Sequence, residues 1–296
     1  MSDNEWLEWR RHGIGGSDVA AVMGVSPWAS PWSVWANKCG LTGDIASSEV
    51  MEAGKFLELA ITPWFTDRTG LGVVDEQAQI VHPSHSHHRA TLDGLVYGDD
   101  SECLGVLEIK TTNWGKPWET IPEHYQAQVQ WQLHVTGLGK AWMAVLMGRR
   151  LDIHEIERDQ DAIDKMVAEV DRFWVEHVVT GTPPPVDGSD ATAAALAEVF
   201  PGDTEVEAVE VDVEAMVELR TLQAFNKAAA DTKKAITAIK SSIRAKMGDG
   251  TEAAHNGKTV ATLRPQTKKT TCKHCGVVDE SAPFRVLRIT KETNND

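Results

Sequence analysis

Two rhythms of apolar residues take turns along the first 180 residues of this chain. A helical run from Asp18 to Gly24 follows Ser17, which reads as its cap. Pro31 to Cys39 places Trp32, Trp35, Ala36 and Cys39 on one face, with proline in the first turn and Gly40 after the end. Glu49 to Thr69 predicts a longer helix ended by Gly70. The period then drops to two, and Val73 to Val81, Ala90 to Val96 and Leu104 to Lys110 read as strands. Pro122 to Val135 is a helix stopped by Gly137. Ala141 to Met147 and Leu151 to Ile156 form a strand pair, and Asp161 to Val179 a closing helix. This order predicts a mixed α/β core, a central mixed sheet flanked by helices.

The rhythm breaks at Gly181-Thr182-Pro183-Pro184-Pro185, a stiff connector that no helix can continue through. The expected division is a domain over 1–180, a Pro/Gly/Ala-rich linker over 181–204, and a tail over 205–296 made of a long helix and a short β segment. All 11 tryptophans lie between Trp6 and Trp174, which puts the large core in the first part. In the tail, Met216, Leu219, Leu222, Ala229, Ile236, Ile239 and Ile243 recur at helical intervals from about Val213 to Lys246. Lys233, Lys234, Lys240 and Arg244 lie between them. The stripe predicts packing on the core or on a neighbouring subunit, with the basic face, and Lys268, Lys269 and Lys273 beyond it, free to follow a DNA backbone.

Charge changes the picture only partly. The 296 residues carry 29 basic and 44 acidic side chains, a net charge of −15. That excludes a protein that coats nucleic acid non-specifically, which needs cations against phosphates. It leaves room for a local basic track, or for carboxylates that hold metal ions. No apolar run approaches the ~20 residues of a membrane span. The start, MSDNEWLEWRR, lacks a secretory apolar stretch, and four scattered cysteines suit a reducing cytoplasm.

The chemistry concentrates in Ala90-Thr91-Leu92-Asp93-Gly94 and, after a Gly98-Asp99-Asp100 turn, Leu104 to Lys110. Glu108 and Lys110 share one strand face and Ile109 takes the other. An antiparallel pairing across the turn brings Asp93 near Glu108. Two carboxylates and an ammonium at a sheet edge suit Mg²⁺ or Mn²⁺. The same spacing also fits an exposed ion pair beside a turn.

Asp93 followed by Glu108-Ile109-Lys110 has the form of the PD-(D/E)XK nuclease signature, and further blocks narrow it. They are Trp6-x3-Arg10 with Gly13-Ile14-Gly15-Gly16-Ser17-Asp18, then Gly54-x3-Glu58, and Tyr125-Gln126-Ala127-Gln128-Val129-Gln130. Their order and spacing across residues 6–160 resemble the YqaJ viral recombinase family, in the lambda-exonuclease-like branch of those nucleases. Leu92 stands where that family usually has proline. The resemblance implies metal ligation by Glu58, Asp93, Glu108 and the Ile109 carbonyl, with Mg²⁺ the expected ion and Mn²⁺ an alternative. It implies that Lys110 assists the attacking water, that Gln128, and less so Gln130, reaches the reacting region, and that Arg10 and Ser17 hold a 5′-terminal phosphate. The implied enzyme is a phage or prophage exonuclease acting in the bacterial cytoplasm on double-stranded DNA ends, 5′ to 3′. It would be a homo-oligomeric ring, a trimer by resemblance, partnered by a single-strand annealing protein. An endonuclease on the same core and a non-catalytic DNA-end-binding scaffold are the alternatives.

Two other clusters remain. His82-Pro83-Ser84-His85-Ser86-His87-His88 lacks regular ligand spacing and reads as a polar surface loop. Cys272-Lys273-His274-Cys275 is half of a zinc ribbon with no visible second half.

Overall fold

The computed structural model describes residues 3–43, 49–74, 77–112, 118–202, 208–267, 269–271, 278–280 and 284–289. The Cys272/Cys275 pair lies outside them, as do Lys268 and Lys273. The chain divides into two compact units, Met1–Thr204 and Glu205–Asp296.

The first unit opens with α1 (Asp3–Arg11), α2 (Gly16–Val22), α3 (Pro31–Lys38) and α4 (Glu49–Thr69). Strands β1 (Gly72–Val74), β2 (Ala78–His82), β3 (His85–Leu92), β4 (Gly94–Tyr97) and β5 (Cys103–Thr112) follow, then α5 (Glu123–Thr136), β6 (Lys140–Met147), β7 (Arg150–Glu157) and α6 (Gln160–Phe173). A π-helical turn over Trp174–Val179 extends α6. The central sheet has the order β1-β4-β5-β6-β7; β5 and β6 run parallel across α5, and the other neighbours run antiparallel. It is the expected mixed sheet between helices.

Strand alternation explains why both faces are apolar. Val106, Met143 and Val145 face one core with Val129, Trp131 and Ile163. Their neighbours Leu107, Ile109, Trp142 and Ala144 face the other, against Ile61 and Phe65 of α4. The functional cavity opens where this sheet loses β4.

Three boundaries differ from the sequence reading, two because of long-range contacts and one through a local cap. Val73 to Val81 and Ala90 to Val96 are not single strands: β2 and β3 form a separate hairpin, while β1 and β4 join the central sheet. The chain changes sheets at Asp93–Gly94, where a Cβ on Gly94 would stand 2.5 Å from Val73 Cγ1. Ser17 is not the cap of α2; Gly15 is, and Asp18 Oδ2 accepts the Gly15 amide at 3.0 Å. The stretch read as linker holds α7 (Asp190–Val199), capped by Ser189. Its alanines favour helix, and Thr192 Oγ1 donates to Ser30 Oγ of the α3 cap at 2.7 Å in a buried contact. The histidine tract is no surface loop either: it forms the turn of the β2–β3 hairpin, and His88 is fully buried.

In the second unit α8 (Val213–Met247), capped by Asp212, has no buried residue, and Met216, Leu219, Leu222, Ile236 and Ile239 are exposed. Strands β8 (Glu252–His255), β9 (Lys258–Gln266) and β12 (Phe284–Ile289) form a sheet in the order β12-β9-β8, while β10 (Lys269–Thr271) pairs with β11 (Val278–Glu280). The Arg285 guanidinium closes this unit by donating to the Gly248 and Gly250 carbonyls. Among the described residues no helix is long and apolar enough to cross a membrane.

Candidate active site

Antiparallel pairing puts Gly94 opposite Leu107, so Asp93, one step earlier, stands beside Glu108. Asp93 Oδ2 accepts the Ile109 amide at 2.7 Å. In an extended strand the N–H and C=O of one residue point to the same edge, so the Ile109 carbonyl also points to the edge that β4 has left.

Glu108 is 2% exposed and held from three sides. Gln128 Nε2 donates to Oε1 and Gln132 Nε2 to Oε2, each at 2.6 Å, and Lys110 Nζ lies 2.5 Å from Oε1. Burial pushes the Asp93 carboxyl well above the usual carboxylate range; the Glu108 charge and, more weakly, Glu58 add to it, against Lys110 and the Ile109 amide. Burial opposes the Lys110 charge, but Glu108 and Asp93 outweigh it and hold the ammonium above its ordinary pKa. Glu58 reaches the same cavity from α4, where its Oε2 accepts from Gln77 Nε2 at 3.1 Å.

The donor set fits a hard divalent cation. Three carboxylates, Glu58, Asp93 and Glu108, gather at the Lys110 end of this cavity, whose full lining, with Asp18, Arg10 and Arg89, sets four carboxylates against three cations; oxygen ligands of this kind suit such an ion. Burial first, and the Glu108 and Glu58 charges after it, raise the Asp93 pKa, a cost that a bound cation would relieve.

A second set of polar side chains lies across the cavity. Arg10 Nη2 donates to Ser17 Oγ at 3.2 Å and to Asp18 Oδ1 at 3.3 Å. Lys38 Nζ, 2.7 Å from Asp18 Oδ2, also donates to the Arg10 carbonyl. Burial works against the Asp18 charge, and Lys38 and Arg10 overcome it, holding the carboxyl below its ordinary pKa. The Trp6 ring supports the Arg10 guanidinium 5.0 Å from its centroid, and Trp9 supports Arg89 at the same distance. The α1–α2 turn is laid on β3: Ile14 N donates to His87 O and Arg89 N to Ile14 O. Gly13 permits this, since a Cβ there would come 2.6 Å from His87 O.

Arg10, Ser17, Glu58, Asp93, Glu108, Ile109, Lys110 and Gln128 therefore line one cavity of about 200 Å³. Gln130 does not: its Nε2 donates to Glu157 O and its Oε1 accepts the Asp159 amide, tying α5 to the end of β7. Gln132, Arg89, Trp6 and Trp9 escaped the sequence reading as site residues. The one-turn spacing from Gln128 was a signal for Gln132; Arg89 fell between the tract read as loop and the strand read from Ala90.

Residues 5–139 match the family model of the YqaJ-like viral recombinase domain. The chain is 37% identical over 199 residues to the uncharacterized protein YqaJ of Bacillus subtilis (strain 168), a match covering 64% of this chain and 61% of that one. The matched region thus spans less than two thirds of that relative. Among solved structures, the alkaline exonuclease of Laribacter hongkongensis is 26% identical, covering 60% of this chain and 94% of its own, with a TM-score of 0.49. The same exonuclease in complex with dAMP matches with equal identity and coverage and a TM-score of 0.50. The fold is that of the PD-(D/E)XK nucleases.

Proposed function

We propose, with the YqaJ-like viral recombinase domain matched by residues 5–139 as the premise, that this chain is a metal-dependent DNA exonuclease of the phage recombination type. It digests one strand of linear duplex from a 5′-phosphorylated end and leaves a 3′ single strand for annealing. The observation that carries this reading is the shared cavity: Arg10 and Ser17 line the same space as Glu58, Asp93, Glu108 and Lys110. An enzyme that cuts from an end must hold the terminal phosphate while it attacks the next phosphodiester, and this cavity has groups for both tasks.

Glu58, Asp93, Glu108 and the Ile109 carbonyl are the ligands for Mg²⁺ or Mn²⁺, which when bound supplies an activated water and offsets charge on the phosphate. Gln128 and Gln132 fix the Glu108 carboxylate in one orientation. Lys110 Nζ, held at Glu108 Oε1, positions the attacking water and offsets the negative charge that develops. Arg10 and Ser17 bind the terminal phosphate, and Asp18 with Lys38 holds Arg10 in place until it does. The relative solved with dAMP binds a deoxynucleoside monophosphate, the class of product such a reaction releases. By the same resemblance the enzyme is a homo-oligomeric ring, a trimer, in the bacterial cytoplasm, and passes its 3′ strand to a single-strand annealing protein. A ring lets a basic lining meet DNA on a chain of net charge −15.

The test uses Mg²⁺ with three duplexes: linear with 5′-phosphate, linear with 5′-hydroxyl, and covalently closed circular. The phosphorylated linear duplex should be digested fastest and the circle left intact. Nicking of the circle would convert the reading to an endonuclease. Near-normal digestion by folded Asp93→Ala would remove the metal site from the mechanism.

A further inference from the structure

A second cluster of ligand-bearing side chains sits at the opposite end of β3 from Asp93, and the nuclease reading uses none of it. The β2–β3 pairing runs in register from Ala78↔Leu92 to Val81↔Arg89 and then jumps to His82↔His85, leaving residues 86–88 without partners on β2. A bulge of this kind re-aims side chains. His85 and His88 are three apart and would face opposite ways in a regular strand. Here their rings stack, with centroids 4.6 Å apart and planes within 9°.

The result is a convergence of imidazole nitrogens. His82 Nδ1 and His85 Nδ1 are 3.1 Å apart, and one ring nitrogen from each of His82, His85 and His88 falls within 4.8 Å of the others. Two imidazole nitrogens on one tetrahedral zinc ion stand about 3.3 Å apart, given Zn–N bonds of about 2.0–2.1 Å. The Ser84 amide donates to His82 Nδ1, so a cation bound at that nitrogen would displace this contact. His88 is fully buried, with Nε2 3.0 Å from Asp171 Oδ1 and Nδ1 3.0 Å from His134 Nε2. A carboxylate on Nε2 sets the tautomer and leaves the lone pair on Nδ1, the arrangement found behind many metal-bound histidines; a cation at Nδ1 would take the place of the His134 contact. Asp171 also holds His87, whose Nε2 is 2.7 Å from the same oxygen.

We propose that His82, His85 and His88 form a second cation site, for a divalent transition metal of the zinc class, with Asp171 orienting His88. Imidazole ligands select zinc-class ions, whereas the carboxylate cavity selects Mg²⁺ or Mn²⁺. Its task is structural. It ties the β2–β3 turn to α6 through Asp171, and the adjoining His87 carbonyl accepts the Ile14 amide of the turn that carries the phosphate-binding residues.

The experiment uses the full chain, stripped with a chelator and titrated with Zn²⁺ in millimolar Mg²⁺. Wild type should bind one zinc equivalent that His82→Ala/His85→Ala lacks; both rings are part-exposed, which favours a folded variant. Asp171→Asn should keep that equivalent with affinity weakened about 10–100-fold. Cys272→Ser/Cys275→Ser should keep it unchanged, and Co²⁺ bound to this cysteine variant should show visible d–d bands without thiolate charge-transfer absorption. That spectrum needs no histidine substitution, so misfolding of the histidine variant leaves the test intact. Loss of the equivalent in the cysteine variant, or equal zinc in wild type and His82→Ala/His85→Ala, overturns the site. Asp93→Asn should retain the zinc, so failure of the nuclease reading and failure of this one are separable.

Discussion

Glu108, a metal ligand under the proposed function, is a buried carboxylate held in one orientation. Gln128, Gln132 and Lys110 occupy three of its acceptor positions, and a carboxylate has about four, which leaves one for a cation. Gln132→Ala should therefore lower cleavage about 10–100-fold, as the loss of a group that orients a ligand commonly does, beside a stability cost of about 1–3 kcal/mol from its buried hydrogen bonds. Gln130→Ala should leave cleavage rates intact and cost about 1 kcal/mol in denaturant unfolding; equal activity losses from both in folded protein would refute the assignment. Asp93 makes a prediction in pH. Its pKa is raised in the folded state, so the fold binds that proton more tightly than the unfolded chain does. The stability it contributes is full below the unfolded pKa of about 3.9 and is lost as pH rises through the folded value. Metal-free Asp93→Asn should accordingly melt above metal-free wild type at neutral pH, and Mg²⁺ should raise the Tm of wild type alone. Scanning fluorimetry reads both; a lower Tm for the variant would contradict the charge-crowding account.

At the scale of elements, the site depends on two places where backbone approaches backbone or side chain closely. The sheet change at Asp93–Gly94 needs the bare Cα of Gly94, and Gly94→Ala should cost about 1–3 kcal/mol of overpacking, seen as a lower unfolding midpoint. The α1–α2 turn, laid on β3 through Gly13 and Ile14, brings Arg10 to the cavity. Arg10→Ala should abolish most of the preference for a 5′-phosphate over a 5′-hydroxyl while Mg²⁺ dependence stays as in wild type. A retained preference would assign the phosphate to other groups, Arg89 first among them.

For the whole molecule, the unit boundary decides where to cut. Removing everything after Pro184 would strip α7 and orphan the buried Thr192–Ser30 hydrogen bond; ending the chain at Thr204 keeps the first unit whole. The 1–204 chain should retain metal-dependent cleavage. Helix α8 carries seven basic and three acidic residues, and its removal should weaken DNA binding and flatten the salt dependence. Every phosphate left without its lysine or arginine takes about 0.9 from the slope of log affinity against log salt. An unchanged slope would leave α8 with no part in holding DNA.

Local pattern by itself settled much of this protein. Period-two alternation places Glu108 and Lys110 on one strand face, and the span Glu49–Thr69 of α4 follows from its periodicity and the glycine after it. Short-range rules suffice there, because a side chain's direction along one element depends only on backbone geometry. What lies opposite that side chain is set by distant residues, and this is where pattern ran out. Gln132 rather than Gln130 meets Glu108 because packing rotates α5 so. Asp93 is a crossing point because β3 and β4 pair with different partners. Arg89 and the histidines gained surroundings only when the α1–α2 turn, α5 and α6 closed over β3, and α7 became a packed helix only because α3 offers its cap.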